Sequence, residues 1–214
     1  MEIRNIIFDL GGVLLNIDYQ ASIKAFKDLG VKDFDALFSQ ATQHHLFDRL
    51  DTGQISAEEF RDELRELGGL SLSDAQIDHA WNAMLGDFPA SRIDLLQGLS
   101  AIYRLFLLSN TNSIHYPAYI ERLRKDHGID SLDHLFENAY LSHEIGLRKP
   151  DTAAFQLIIN ENQLDPAATF FIDDSAQHVE GAIKAGLHAV WLDLGRMKTE
   201  DLFTWKYRLR TENL

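Results

Sequence analysis

The sequence contains no cysteine and no long apolar run. The absence of cysteine excludes disulfide bonds, a thiolate nucleophile and metal sites with sulfur ligands. No stretch approaches the roughly eighteen consecutive apolar residues that a membrane-spanning helix needs. The first residues also lack the basic region and apolar core of a signal peptide, so we expect a cytoplasmic protein with no membrane partner.

Basic residues are scarce relative to acidic ones. The 214-residue chain has 20 lysine and arginine residues against 33 aspartate and glutamate residues, which gives a net charge of −13. Nucleic acids and anionic membranes bind basic surfaces, so we expect neither as a partner. A small phosphorylated metabolite remains compatible with this charge, because a bound cation reverses the potential inside one pocket. We expect a monomer or a weak homodimer.

A buried strand is predicted near the start of the chain. The run IIFDLGGVLLN at residues 6–16 begins with three apolar residues, which is typical of a parallel strand buried on both faces. From residue 91 onwards, predicted helices alternate with predicted strands at 104–108, 139–141, 169–172 and 188–192. This alternation indicates an α/β fold with a doubly wound, Rossmann-like parallel sheet.

The residues between the first two strands carry helical signals. Ser56 with Glu59, and Ser73 with Gln76, have the spacing of capping boxes that begin helices. Apolar spacing predicts further helices before them, including one over residues 34–38. The sequence therefore predicts a helical bundle at 17–90, inserted into a Rossmann-like core made of 1–16 and 91–214.

Three carboxylates follow two of the predicted core strands. Asp9 ends the first strand, and Asp173 and Asp174 end the strand at 169–172. Parallel strands bring their carboxyl ends to one edge of the sheet, where ligands bind in open α/β folds. Three carboxylates brought together repel one another unless a cation lies among them, and their oxygen atoms suit Mg²⁺. Each aspartate alone is equally typical of a turn or a helix N-cap.

Groups suited to a phosphate are predicted at the same edge. Ser109 and Asn110 follow the second strand, and Arg148 and Lys149 lie in the loop GLRKPD. With Mg²⁺ they supply the cations and donors that a phosphate monoester needs. Asp9 is then placed to attack phosphorus and form an aspartyl phosphate. Alternatively, Ser109 and Asn110 cap a helix and Lys149 is an ordinary solvated lysine.

Two glycines follow the first carboxylate. Gly11 and Gly12 allow the backbone to turn sharply and to bring its amide and carbonyl groups close to a ligand. Gly12 is therefore a candidate phosphate-binding residue.

The motifs FDLGGVL, LLSNTN, GLRKPD and FFIDDS, in this order, resemble the haloacid dehalogenase (HAD) superfamily. The resemblance is to its phosphatase branch with a helical C1-type cap after the first strand, and within it to the bacterial α-D-glucose-1-phosphate phosphatases. It implies Asp9 as nucleophile, Ser109 on the phosphoryl group and Lys149 as its countercharge. It also implies Asp174 as a Mg²⁺ ligand, with Asp173 as a ligand or one water away.

The sequence departs from the usual pattern of these phosphatases at Gly11. Most carry a second aspartate there as general acid and base, a group worth roughly 10²- to 10⁴-fold in rate. The metal site implied by the resemblance uses only the backbone carbonyl of this residue, which Gly11 retains. The glucose-1-phosphatase-like members also lack this aspartate, and an anomeric hydroxyl leaves readily. As a hypothesis, Asp48, His44 or His45 approaches from the cap and relays the proton, and Asp48 is a candidate substrate-binding residue.

The favoured function is a Mg²⁺-dependent phosphatase for a small phosphorylated metabolite, with glucose 1-phosphate as the favoured type. One alternative is a catalytically weakened phosphate-binding or regulatory module, for which Gly11 is the only support. A phosphosugar mutase is a weaker alternative, because it needs the missing aspartate. A 2-haloacid dehalogenase is weaker still, because that reaction needs no metal and leaves the paired aspartates surplus.

Overall fold

A computed structural model describes residues 2–31, 34, 45–69 and 71–210. Its core is one sheet of five parallel strands in the order β3-β2-β1-β4-β5. The strands are β1 (Asn5–Phe8), β2 (Arg104–Ser109), β3 (Asn138–Leu141), β4 (Thr169–Asp173) and β5 (His188–Trp191). Strand order reverses between β1 and β4, and ligands bind beside the carboxyl ends of strands at such a switch point.

Helices flank the sheet and fill the long connection after β1. They are α1 (Tyr19–Asp28), α2 (His45–Asp51), α3 (Ala57–Gly68), α4 (Asp74–Asn82), α5 (Ala90–Ser100), α6 (His115–His127), α7 (Ser142–Ile145), α8 (Thr152–Glu161) and α9 (Ala176–Lys184). Short 3₁₀ helices span Leu132–His134, Pro166–Ala168 and Thr199–Leu202. The predicted doubly wound α/β fold is confirmed, whereas α7 and the last 3₁₀ helix were not predicted. Most of the helix predicted over 34–38 lies outside the described residues.

The strands are apolar because the sheet is covered on both faces. All four residues of β1 and all five of β4 are buried. One face packs Ile7 and Phe171 against Phe155 and Ile158 of α8. The continuous apolar runs of the sequence reflect this two-sided burial.

Aromatic side chains form the centre of the helices between β1 and β2. The rings of Phe26 and Phe34 stack with centroids 4.1 Å apart, and Phe47 lies 5.0 Å from Trp81. Phe60 packs on both Phe47 and Trp81. Such pairs contribute about 0.5–1.5 kcal/mol each beyond the area they bury. Both predicted capping boxes are present, at the starts of α3 and α4.

The two chain segments that join these helices to the sheet run side by side. The amide of Gly86 donates to the carbonyl of Asn16 at 2.7 Å, and the amide of Asn16 donates to the carbonyl of Asp87 at 2.9 Å. Ile17 and Leu85 form an antiparallel bridge between them. These paired segments lie close to residues 17 and 90, the expected boundaries of the cap. The boundaries themselves stay a prediction. No helix among the described residues has the length and apolar character needed to cross a membrane.

Candidate active site

Three carboxylates meet at the switch point of the sheet. Asp9 directly follows β1, Asp173 ends β4 and Asp174 follows it. One oxygen from each lies within 4.8 Å of the others. The amide of Asp9 donates to the carbonyl of Ile172 at 2.9 Å, which fixes the two strand ends relative to each other. The sheet therefore brings together the aspartates that the sequence predicted at one edge.

A buried lysine lies against two of these carboxylates. The Lys149 side chain has no exposed surface, and its Nζ lies 2.5 Å from Asp9 Oδ1 and 2.7 Å from Asp173 Oδ2. Burial disfavours the charged ammonium, but Asp173 and Asp9 outweigh it and raise the pKa of Lys149 above its usual value. Lys149 is therefore an ion-pair partner of the carboxylates and not a solvated surface residue.

Asn110 holds the backbone of this lysine. Asn110 Oδ1 accepts from the Lys149 amide, and Asn110 Nδ2 donates to the Lys149 carbonyl, both at 2.9 Å. The side chain of Asn110 thus fixes the loop that delivers the lysine to the sheet edge, a role that sequence reasoning did not anticipate.

The carboxylates carry more negative charge than the lysine balances. Burial raises the pKa of Asp9 to about 6. Burial, together with Asp9 and Asp173, raises the pKa of Asp174 to about 7. Burial opposes ionisation of Asp173 as well, but Lys149 and His178 bring its pKa below the usual value. Two carboxyls that resist ionisation beside a third that is charged form a site that a cation stabilises.

The oxygen donors at this edge fit a hard divalent cation. Asp173 is the most engaged of the three, because Oδ2 accepts from Lys149 while Oδ1 accepts from the Ser175 amide at 2.8 Å. His178 Nδ1 lies 3.0 Å from both oxygens of Asp173. The chemistry of the site, carboxylates without sulfur or clustered imidazole, is that of a Mg²⁺ site.

The two glycines after Asp9 have different surroundings. At Gly12 the backbone has φ +77°, and an added Cβ would lie 2.5 Å from Asp174 Oδ2. Glycine is therefore required at position 12 so that Asp174 can pack against this turn. Gly11 lines the pocket, and a Cβ there would meet Ile17 Cγ1 at 3.2 Å.

A pocket of about 120 Å³ lies in front of the carboxylates. This volume is several times what one buried water needs, so it suits a small ligand. The core contributes Asp9, Ser109, Arg148 and Asp174 to its lining. The long connection between β1 and β2 contributes Tyr19, Asp51, Trp81 and Met84. Every predicted site residue in the core except Gly12, Lys149 and Asp173 lines this pocket, and the last two lie behind Asp9.

A model of the haloacid dehalogenase-like hydrolases matches residues 3–186 of this sequence. The chain belongs to this family. D-ribitol-5-phosphate phosphatase of Bacteroides thetaiotaomicron is 32% identical over 177 residues, which cover 83% of this chain and 85% of that enzyme.

Two solved HAD structures have closely similar folds. One is a wild-type HAD family enzyme from Bacteroides thetaiotaomicron in complex with magnesium and inorganic phosphate. It is 36% identical in sequence, the TM-score is 0.85, and the match covers 94% of this chain and 100% of the chain of that enzyme. A HAD-like family hydrolase from Porphyromonas gingivalis is 36% identical with a TM-score of 0.82 and covers 92% of this chain and 94% of its own. These relatives confirm the predicted fold, and the family match confirms the prediction of a HAD hydrolase.

Asp48, one of the residues predicted to relay a proton from the cap, does not line the pocket. Its carboxylate accepts a hydrogen bond from Arg148 Nη1. His45 is exposed at the start of α2, and His44 lies outside the described residues. Asp51, three residues after Asp48 on the same short helix, lines the pocket instead. Helical spacing groups Asp48 with Asp51, but which of them faces the core depends on how the helix docks.

Proposed function

We propose that this protein is a Mg²⁺-dependent phosphatase that hydrolyses a small phosphorylated sugar or sugar alcohol through an aspartyl phosphate. The observation that carries the proposal is the convergence of Asp9, Asp173, Asp174 and the fully buried Lys149 at one edge of the sheet, where Asp9 and Asp174 line a small pocket. A phosphatase that acts through a carboxylate needs a nucleophile held ionised, a countercharge and a cation site. The named phosphatase relative and the magnesium and phosphate in a related structure support the same class.

Each residue has a specific task in this reaction. Asp9 attacks phosphorus, and the hydrogen bond from Lys149 to Asp9 Oδ1 keeps it ionised. Asp9, Asp174 and the carbonyl of Gly11 would hold the cation, and Asp173 would not ligate it directly because both of its oxygens are already engaged. When bound, Mg²⁺ supplies Lewis-acid neutralisation of the phosphoryl charge. The P–O ester bond breaks as the bond to Asp9 forms, and the sugar oxygen leaves and takes a proton from solvent, since Gly11 supplies none. Water then hydrolyses the aspartyl phosphate, which releases inorganic phosphate and regenerates Asp9.

The phosphoryl oxygens need donors besides the cation. We assign the hydroxyl of Ser109, buried at the end of β2, and the guanidinium of Arg148, which lines the same pocket, to this task. Asn110 acts through Lys149, whose backbone it holds. Gly12 acts through Asp174, because only glycine allows the carboxylate to pack so close.

Two observations favour different substrates within this class. Gly11 offers no acid to protonate the leaving group, which favours glucose 1-phosphate because its anomeric hydroxyl is a better leaving group than an ordinary alcohol. Ribitol 5-phosphate, the substrate named for the relative, releases a primary alcohol and depends more on proton transfer. Both belong in the first substrate panel.

The test is the release of inorganic phosphate from phosphorylated sugars, sugar alcohols, nucleotides and small acids, with Mg²⁺ and with chelator. Asp9→Asn serves as the blank, and Asp126→Asn removes an exposed carboxylate from α6 as the matched control. We expect chelator-sensitive turnover in the wild type and the control, and none in Asp9→Asn. Ligand-dependent thermal stabilisation without turnover on any substrate would indicate the phosphate-binding module instead.

A further inference from the structure

We propose that Asp51 is the specificity-determining residue of this site, and that its carboxylate accepts a hydrogen bond from a substrate hydroxyl remote from the phosphate. The inference deepens the proposed function, on which it rests, and narrows the substrate to a polyhydroxylated phosphate monoester. Asp51 is the last residue of α2, is only 6% exposed and lines the same pocket as Asp9.

The position of the Asp51 carboxylate is fixed from the core. Asn112 Nδ2 donates to Asp51 Oδ1 at 3.0 Å. Asn112 is itself held, because its Oδ1 accepts from the amides of Ile114 at 3.1 Å and His115 at 3.0 Å. Close to Asp51, Gly53 packs against the backbone carbonyl of His143, an approach that a Cβ would block. The carboxylate is thus held in place across the boundary between the helices and the sheet.

No described residue anchors the second carboxylate oxygen in this way. Within the described part of the chain, the bond from Asn112 is the only hydrogen bond that Asp51 receives. A carboxylate has about four acceptor positions, and buried carboxylates normally fill several of them. The hydrogen bond from Asn112 lowers the pKa of Asp51, but burial has the larger effect and raises this pKa to about 7. A hydroxyl that donates to Oδ2 would supply what this carboxylate lacks.

Asp51 is separate from the cation site. It takes no part in the cluster formed by Asp9, Asp173 and Asp174. Aromatic side chains, among them Tyr19, Trp81 and His115, line the same pocket. Trp81 stacks on His115 at 4.8 Å, and burial lowers the pKa of His115 to about 3, so its ring is neutral.

An acceptor carboxylate beside aromatic surface suits hydroxyl-bearing carbon chains and disfavours anionic groups. A hydroxyl can donate to Asp51, whereas a second carboxylate on the substrate would be repelled by it. We therefore expect sugar or sugar-alcohol phosphates to be preferred over phosphorylated carboxylic acids.

The test is Asp51→Asn, compared on two substrates. The amide retains an oxygen for Asn112 but presents NH₂ where the wild type presents an acceptor. We expect the ratio of kcat/KM for the best sugar or sugar-alcohol phosphate to kcat/KM for p-nitrophenyl phosphate to fall about 10- to 100-fold, the worth of a hydrogen bond to a charged group. The matched control Glu66→Gln, an exposed carboxylate on α3, should leave that ratio unchanged.

A second series tests the wild-type protein first and Asp51→Asn for comparison. Substrate analogues that each lack one hydroxyl should include one with a loss of about 10-fold or more in kcat/KM, and Asp51→Asn should not discriminate against that analogue. Equal losses on both substrates in Asp51→Asn, or no sensitive hydroxyl in the series, would overturn the assignment.

Binding separates this inference from the proposed function. In Asp9→Asn protein, calorimetry should show that the polyhydroxylated phosphate binds more tightly than inorganic phosphate, and that adding Asp51→Asn abolishes the difference. No turnover in the wild type together with this binding difference would refute the phosphatase and support the role of Asp51. Turnover without the binding difference would support the phosphatase and refute the role of Asp51.

Discussion

Replacing Lys149 with methionine tests the electrostatics of the site most directly. Methionine has similar length and flexibility but no charge, so Lys149→Met leaves the carboxylates of Asp9 and Asp173 without the ammonium that lies 2.5 Å and 2.7 Å from them. Breaking a buried ion pair by removing one partner costs about 3–5 kcal/mol, because the remaining charge stays buried. For a chain of this size that cost corresponds to a decrease in Tm of roughly 6–20 °C.

The loss in Lys149→Met should depend on pH and on Mg²⁺. Without the lysine, the folded-state pKa of Asp9 rises further above its unfolded value, and the pKa of Asp173, which Lys149 holds below that value, rises as well. A carboxyl with a raised folded pKa contributes stability below its unfolded pKa and loses it as pH rises through the folded pKa. The deficit relative to wild type should therefore be larger at pH 8 than at pH 5, and Mg²⁺ should reduce it by restoring positive charge.

The assay is thermal unfolding of metal-free protein at pH 5 and pH 8, repeated with Mg²⁺, alongside phosphate release. Lys184→Met is the matched control, because Lys184 is exposed at the end of α9. The control should change the free energy of unfolding by less than about 0.5 kcal/mol. Turnover by Lys149→Met should fall about 10²- to 10³-fold, as for the loss of one electrostatic donor. A metal-free variant as stable as wild type at pH 8 would refute this account.

Three further predictions concern the same edge of the sheet. Gly11→Asp, combined with Ile17→Ala to remove the Cγ1 atom that an added Cβ would meet at 3.2 Å, should raise kcat for alkyl phosphates about 10-fold or more by restoring a general acid; unchanged pH–rate profiles would contradict this. Asn110→Ala removes two hydrogen bonds to the loop of the buried lysine. The free energy of unfolding, measured in urea, should fall by about 1–3 kcal/mol, and kcat should fall more than KM rises. A change confined to KM would indicate direct substrate contact instead. Metal-free wild type should lose stability as pH rises from 5 to 8, because the pKa values of Asp9, Asp174 and Asp51, about 6, 7 and 7, exceed the unfolded value of 3.8, and saturating Mg²⁺ should reduce that slope by removing the shares of Asp9 and Asp174.

The sheet and its catalytic edge were predictable because local sequence determines both. Apolar runs such as Ile6–Phe8 are required wherever a parallel strand is covered on two faces, and the residue that follows such a strand must lie at the carboxyl edge. The predicted strand bounds differ from the observed ones by only one residue. Capping boxes at Ser56 and Ser73 were equally readable, because their hydrogen bonds lie within one turn.

The part of the site contributed by the helices between β1 and β2 was not predictable in the same way. Asp48 and Asp51 lie three residues apart on α2, so helical spacing alone gives them similar directions. Docking of α2 against Asn112 brings Asp51 to the pocket, whereas Asp48, which does not line the pocket, pairs with Arg148, which does. Both contacts join residues about 60 and 100 positions apart, and no local pattern reports the register of such a pairing.

Gly11 and Asp51 together limit what this pocket can do well. At the phosphoryl end, Gly11 supplies no proton, so the rate depends on how readily the leaving oxygen departs. At the remote end, a buried carboxylate strengthens the binding of substrates that donate a hydroxyl hydrogen bond to it and weakens the binding of substrates with a second anionic group. Glucose 1-phosphate meets both conditions, whereas ribitol 5-phosphate meets the second and places a greater demand on the first. If ribitol 5-phosphate is nevertheless the better substrate, binding energy gained at Asp51 must offset the poorer leaving group, and its advantage should disappear in Asp51→Asn.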